Sequence, residues 1–73
     1  MIMSGSRPAT LRQVQVVDIH GTHLYDLVYM HDDEPGKLRR ARLGSEAVYA
    51  GLQAGDAIDV SYMMGVATGV ERR

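Results

Sequence analysis

Short runs of alternating apolar and polar residues, separated by glycine-bearing breaks, fill most of this chain. "TLRQVQVVDI", residues 10 to 19, alternates until Val16 and Val17 fall side by side, which predicts a strand with a bulge or sharp coil at that pair. Gly21 and Thr22 read as a two-residue turn into a second strand, "HLYDLVYM", because glycine in the first central position suits a type II′ hairpin. "HDDEPGK" breaks that strand with a Pro-Gly turn, and "LRRARL" returns as a third. Ser45 is placed to cap, Glu46 suits a positive helix end, and "EAVYAG" predicts one or two helical turns closed by Gly51. "LQAGDAIDVSYM" then gives a strand with Ile58, Val60 and Tyr62 on one face and Asp59 and Ser61 on the other, and "GVATGVER" makes a fifth.

The resulting fold class is all-β with one short helix, in the order βββαββ. That is the order of a five-stranded OB-like barrel, with an Sm-like or other open five-stranded barrel as the rival arrangement. Residues 1–9, small, polar and proline-bearing, read as a flexible tail, and residues 10–73 as a single small domain. No internal repeat or low-complexity segment is visible.

Which face of each strand turns inward depends on the two hairpin registers. With Gly21 and Thr22 as the first loop, His20 faces His23, Asp18 faces Tyr25 and Val14 faces Tyr29. With Pro35 and Gly36 as the second, Glu34 opposes Lys37 and Asp32 opposes Arg39, two pairs of opposite charge. This alignment predicts a core of Ile19, Leu24, Val28, Met30, Ala41 and Leu43, joined by Ile58, Val60, Tyr62, Val66 and Val70, with Asp26 as its awkward member. Tyr25, Leu27 and Tyr29 then face outward beside Arg40 and Arg42, with Arg42 directly across from Tyr29. A second loop one residue longer would exchange the faces of the third strand. In either case the second strand is apolar on both sides, and one of its rows needs a cover.

Composition narrows the means of covering it. A chain of 73 residues buries a smaller share of its surface than a larger domain, so its stability margin is thin. It has no cysteine, which removes disulfides and thiolate zinc sites and suits a reducing compartment. "MIMSGSRP" lacks the apolar stretch of a signal peptide, and no run approaches the roughly 18 apolar residues that span a membrane, so the expectation is a soluble, cytoplasmic protein without membrane contact. Eight basic and nine acidic side chains give a formal charge of −1, against a whole-surface attraction to nucleic acid but not against a local basic patch.

The three histidines of "HGTHLYDLVYMH" raise the question of a metal. His20 and His23 leave one face about 5.5 Å apart at the backbone in the expected hairpin. His31, eight residues beyond His23, falls roughly 26 Å away and cannot join them. Asp18 is the conceivable third ligand, but strand tips are solvated and polar as a rule, and the expectation is no metal and no other cofactor.

Three readings of the second-strand surface follow. The outer face of an oligonucleotide-binding barrel holds single strands by stacking and phosphate contacts, and Tyr25, Tyr29, Arg40 and Arg42 match that pattern in kind, although the acidic hairpin tip Asp32, Asp33 and Glu34 opposes it. An apolar row on a small domain equally suits a homo-oligomer or partner interface, centred on Leu27 and Val28. Finally, "SEAVYAGLQAGDAIDVSYMMGVATGVER" resembles in outline the swapped-hairpin transition-state regulators, with a short helix, a "GL-x-x-GD-x-I-x-V" turn into a strand and a glycine hairpin. The resemblance covers about the C-terminal 28 residues and implies interleaved chains and DNA contacts from Arg39, Arg40 and Arg42. The chain lacks that family's Ile-Pro before the helix. No nucleophile elbow, phosphate loop or recurrent carboxylate pair is present, and the expectation is a binding module rather than an enzyme.

Overall fold

The computed structural model describes residues 4–73. Its strands are β1 (Ser4–Ile19), β2 (Thr22–His31), β3 (Leu38–Gly44), β4 (Ala57–Met63) and β5 (Val66–Arg72), with one 3-10 turn, Ser45–Ala47, between β3 and β4. All pairings are antiparallel, in one sheet of order β3-β2-β1-β4-β5. β1 starts at Ser4 rather than Thr10, because Ser4–Thr10 pair with β4 and bury Ala9; Met1–Met3 of the expected tail lie outside the described residues.

β1 carries two ladders, one to β4 over Ser4–Thr10 and one to β2 over Ala9–Ile19, which overlap only at Ala9 and Thr10. The strand thus joins two half-sheets. Its bulge falls at Arg12, between the pairs Leu11↔Tyr29 and Gln13↔Val28, and not at Val16–Val17. An extra residue in one strand increases local twist, and this one lies where the sheet must coil. The halves close on a core of Ala9, Leu11, Leu27, Tyr29, Leu43, Ile58, Val60 and Val70.

Both hairpin registers differ from expectation. The first loop is His20–Gly21, each with positive φ (52° and 81°), so it has the type I′ signature and not the type II′ one, and Asp18 faces His23. That shift of two residues preserves the faces. The second connection runs from Asp32 to Lys37 as two consecutive turns, with Glu34 N–H donating to His31 O and Lys37 N–H to Glu34 O. Met30 consequently faces Leu38, Tyr29 faces Arg39 and Asp26 faces Arg42. Relative to the expected alignment β3 has slipped by an odd number of residues against β2, so β3 keeps its expected facing and β2 turns over.

As a result, Tyr25, Leu27, Tyr29 and His31 point inward with Ala41 and Leu43, while Leu24, Asp26, Val28 and Met30 point outward with Arg40 and Arg42. The carboxylate that was out of place in the expected core sits on the outer face. In β5 the pairing skips Thr68, so Ser61 faces Gly69 and Tyr62 faces Ala67; this bulge turns Val66 outward, where it is exposed.

The helix expected over "EAVYAG" does not form. Only Ser45–Ala47 makes a 3-10 turn, its N-cap is Gly44 without a side-chain cap, and Val48 is already extended. So short a run, with a β-branched residue inside and Gly51 at its end, does not offset the cost of helix nucleation. Gly69 lets β5 approach this turn, since a Cβ there would lie 3.3 Å from the Ala47 carbonyl oxygen. β3 and β5 share no hydrogen-bonded ladder, so the sheet is not closed into a barrel. No helix of the described residues is long and apolar enough to cross a membrane.

Candidate functional site

The four residues expected to form a stacking and phosphate-binding surface do not share a face. Tyr29 is 1% exposed and Tyr25 is half-buried against the core, whereas Arg40 and Arg42 are exposed on the opposite side. The odd slip of β3 is the cause. Of the two expected interface residues, Leu27 is a core residue, 1% exposed, and Val28 lies on the outer face.

That outer face is the first candidate surface. Val17, Ile19, Leu24, Val28, Met30 and Leu38 all belong to it by strand alternation, and Ile19 and Leu38 at its two ends are exposed. A groove of about 380 Å³ crosses its middle, lined by Gln13, Gln15, Asp26, Val28, Arg40 and Arg42 among others. Arg42 donates twice to Asp26, from Nε at 2.6 Å and from Nη2 at 3.0 Å. These bonds hold the Asp26 carboxyl below the usual carboxylate range and neutralise Arg42 in place. Arg40 makes no ion pair among the described residues.

The inner face holds a polar chain that the sequence reading missed. His31, 1% exposed, contacts the Pro8 carbonyl through Nδ1 at 3.1 Å and the Tyr62 hydroxyl through Nε2 at 2.7 Å. Tyr62 in turn meets the Tyr29 hydroxyl at 2.8 Å. A carbonyl only accepts, so Nδ1 carries a hydrogen, and in the neutral ring Nε2 accepts from Tyr62, whose oxygen accepts from Tyr29. Burial, and then the bond to Tyr62, push the Tyr29 phenol far above its ordinary range. The signal available in the sequence was His31 at the same strand parity as Tyr29, two polar-tipped residues needing buried partners.

This chain ends at a second cleft, of about 320 Å³, in the unpaired seam between β3 and β5. Tyr29 and Tyr62 line it together with Lys37, Leu38, Arg39 and Arg40 from the β3 side and Gly65 and Ala67 from the other. Arg39 is engaged with both Glu34 oxygens, from Nε at 3.1 Å and Nη2 at 3.3 Å. The expected pairs Glu34–Lys37 and Asp32–Arg39 are therefore replaced: Asp32 meets Arg73 and Asp33 meets Arg7.

Near the 3-10 turn, Tyr49 donates to Asp56 Oδ2 at 2.5 Å, and the Gln53 N–H reaches the same oxygen at 3.1 Å. Burial and this bond push the Tyr49 phenol up to about 12, while the Arg72 guanidinium lies 5.3 Å above its ring centre. The histidines do not converge: His20 sits in the first turn, His23 faces Asp18, and His31 is in the core. No group of three or more His, Asp or Glu among the described residues is arranged to hold a metal ion. Comparison with protein-family models, curated proteins and solved structures finds no match to this chain.

Proposed function

We propose that the protein is a non-catalytic binding module, an OB-like barrel left open along one seam, that self-associates through the outer face of β1, β2 and β3. The observation that carries this is the apolar set Val17, Ile19, Leu24, Val28, Met30 and Leu38 on one side of a sheet whose other side already holds the core. A chain of 73 residues gains stability by burying that surface against a second copy. Asp26 and Arg42 in the centre of the face supply a fixed polar pair that favours one register of approach.

Single-stranded nucleic acid is the second reading for the same face. It rests on Arg40 and Arg42 beside Gln13 and Gln15, with the tyrosines turned inward and no aromatic left to stack a base. Sedimentation equilibrium of the parent and of Val28→Asp with Leu38→Asp tests the first reading, and fluorescence anisotropy with a short unstructured oligonucleotide tests the second. A parent that associates and a double variant that is monomeric support self-association. A parent that stays monomeric at high micromolar concentration overturns it, and oligonucleotide binding lost on Arg40→Glu would move the reading to nucleic acid.

A further inference from the structure

His31 is a fully buried imidazole in a protein for which no catalytic role is proposed, and its hydrogen bonds lead, through two phenols, to a cleft. Pro8 O fixes a hydrogen on Nδ1, so only Nε2 changes role on protonation. In the neutral ring, the Tyr62 hydrogen points to Nε2 and the Tyr29 hydrogen to Tyr62, and the Tyr29 oxygen offers only lone pairs to the cleft. When Nε2 gains a proton it donates to Tyr62, which frees the Tyr62 hydrogen; turned toward Tyr29 it reverses the relay, and the Tyr29 hydrogen then has no acceptor among the described residues.

The cleft supplies the surroundings for that acceptor. Lys37 and Arg40 line it and neither makes an ion pair among the described residues, while Gly65 and Ala67 leave its far wall low. Its volume of about 320 Å³ lies at the lower end of small-molecule pockets. We infer that the seam between β3 and β5 is an oxyanion site, for a carboxylate or a phosphate-like group, whose binding is coupled to protonation of His31 through Tyr62 and Tyr29. Lys37 and Arg40 meet the charge, and the reversed Tyr29 hydroxyl donates to one oxygen. The seam shares Leu38 and Arg40 with the edge of the outer face, while Tyr29, Tyr62 and Lys37 belong to the seam alone.

Other charged groups near the relay are accounted for. From β1, Arg7 is tied to Asp33 at 2.8 Å and Glu34 at 3.4 Å; from the turn after β2, Asp33 is the carboxylate close enough to feel the imidazole; from β3, Arg39 near Tyr29 is held by Glu34; from β4, Tyr62 is itself a relay member. Removing Asp33 therefore serves as a control for a direct effect on His31.

The test is isothermal titration with sulfate and with oxalate, neither of which changes protonation between about pH 6 and 8, in two buffers of different ionisation enthalpy. Sulfate stands for the tetrahedral source of the charge and oxalate for the carboxylate. The expected result is binding of at least one anion at low ionic strength that tightens as pH falls, by at most about tenfold per pH unit for a single coupled proton, with a buffer-dependent heat that reports proton uptake. Tyr62→Phe, which keeps the Tyr29 hydroxyl but cuts the relay, should abolish the pH dependence. Lys37→Ala, on an exposed residue, should weaken binding several-fold at every pH while leaving the proton uptake. No binding of either anion to the parent at about pH 6 overturns the site. A pH dependence that persists in Tyr62→Phe overturns the coupling, and its disappearance in Asp33→Asn would assign it to that carboxylate.

Discussion

Tyr62 and His31 come from strands that are not neighbours in the sheet, β4 and β2, and are joined across the core by a hydrogen bond of 2.7 Å. Pro8 of β1, the strand that separates them, receives the other side of the imidazole. The chain Tyr29–Tyr62–His31–Pro8 thus ties both half-sheets together with directional bonds inside an otherwise apolar interior, where each missing partner is costly.

The first prediction concerns the ring itself. In its neutral form His31 should be the Nδ1–H tautomer, visible as an inequivalent pair of ring nitrogens in long-range proton–nitrogen NMR. The Nε2–H tautomer would contradict the bond to Pro8. Tyr62→Phe should cost about 1–3 kcal/mol in chemical denaturation, because it leaves buried Nε2 and the Tyr29 hydroxyl without their partner.

Neighbouring residues of β2 should behave oppositely. Leu27→Ala removes a core side chain and should destabilise by about 2–5 kcal/mol with no specific effect on association. Val28→Asp should cost about 1 kcal/mol or less and instead shift sedimentation equilibrium toward monomer. Equal effects of the two on stability would mean the strand is facing the other way.

Acid should destabilise the fold through its ion pairs. Asp26, Asp33, Glu34 and Asp56 are all held below the ordinary carboxylate range, by Arg42, Arg7, Arg39 and Tyr49 respectively. A carboxyl with a depressed folded-state pKa contributes stability above its unfolded value and loses it as pH falls through the folded one. Urea midpoints should therefore decline below about pH 4, and Asp26→Asn should flatten that decline.

Alkali acts with the reverse sign. The Tyr49 phenol is pushed up to about 12, so its contribution is complete below its ordinary titration near pH 10 and disappears as pH rises through the folded value. Ultraviolet titration should show Tyr49 and Tyr29 ionising later than an unburied phenol. In Asp56→Asn, which removes the accepting carboxylate, Tyr49 should ionise earlier than in the parent.

The first hairpin can be improved. His20 holds φ at 52°, a left-handed conformation that asparagine adopts more readily, and Gly21 follows at 81°. His20→Asn should stabilise by about 0.5 kcal/mol in thermal denaturation. A loss of stability would indicate a role for the imidazole in the turn.

Alternation in the sequence determined the number and order of the strands, and in β4 it chose the inward residues Ile58 and Val60, because Asp59 and Ser61 leave one apolar parity there; in β5 it held for Val70 but not for Val66, beyond the bulge. It also carried a clue in Asp26, a carboxylate that an inward facing could not accommodate. The facing of β2 was beyond it: Leu24, Val28 and Met30 on one side are as apolar as Tyr25, Leu27 and Tyr29 on the other. Side chains repeat every two residues, so the choice rests on hairpin register, and an odd slip anywhere reverses it. Only the tertiary structure supplied that register, through the six-residue connection Asp32–Lys37 and the bulges at Arg12 and Thr68, and with it turned Tyr25 and Tyr29 to the face opposite Arg40 and Arg42, left Tyr29 and Arg40 to meet at the seam, and brought His31 to Tyr62.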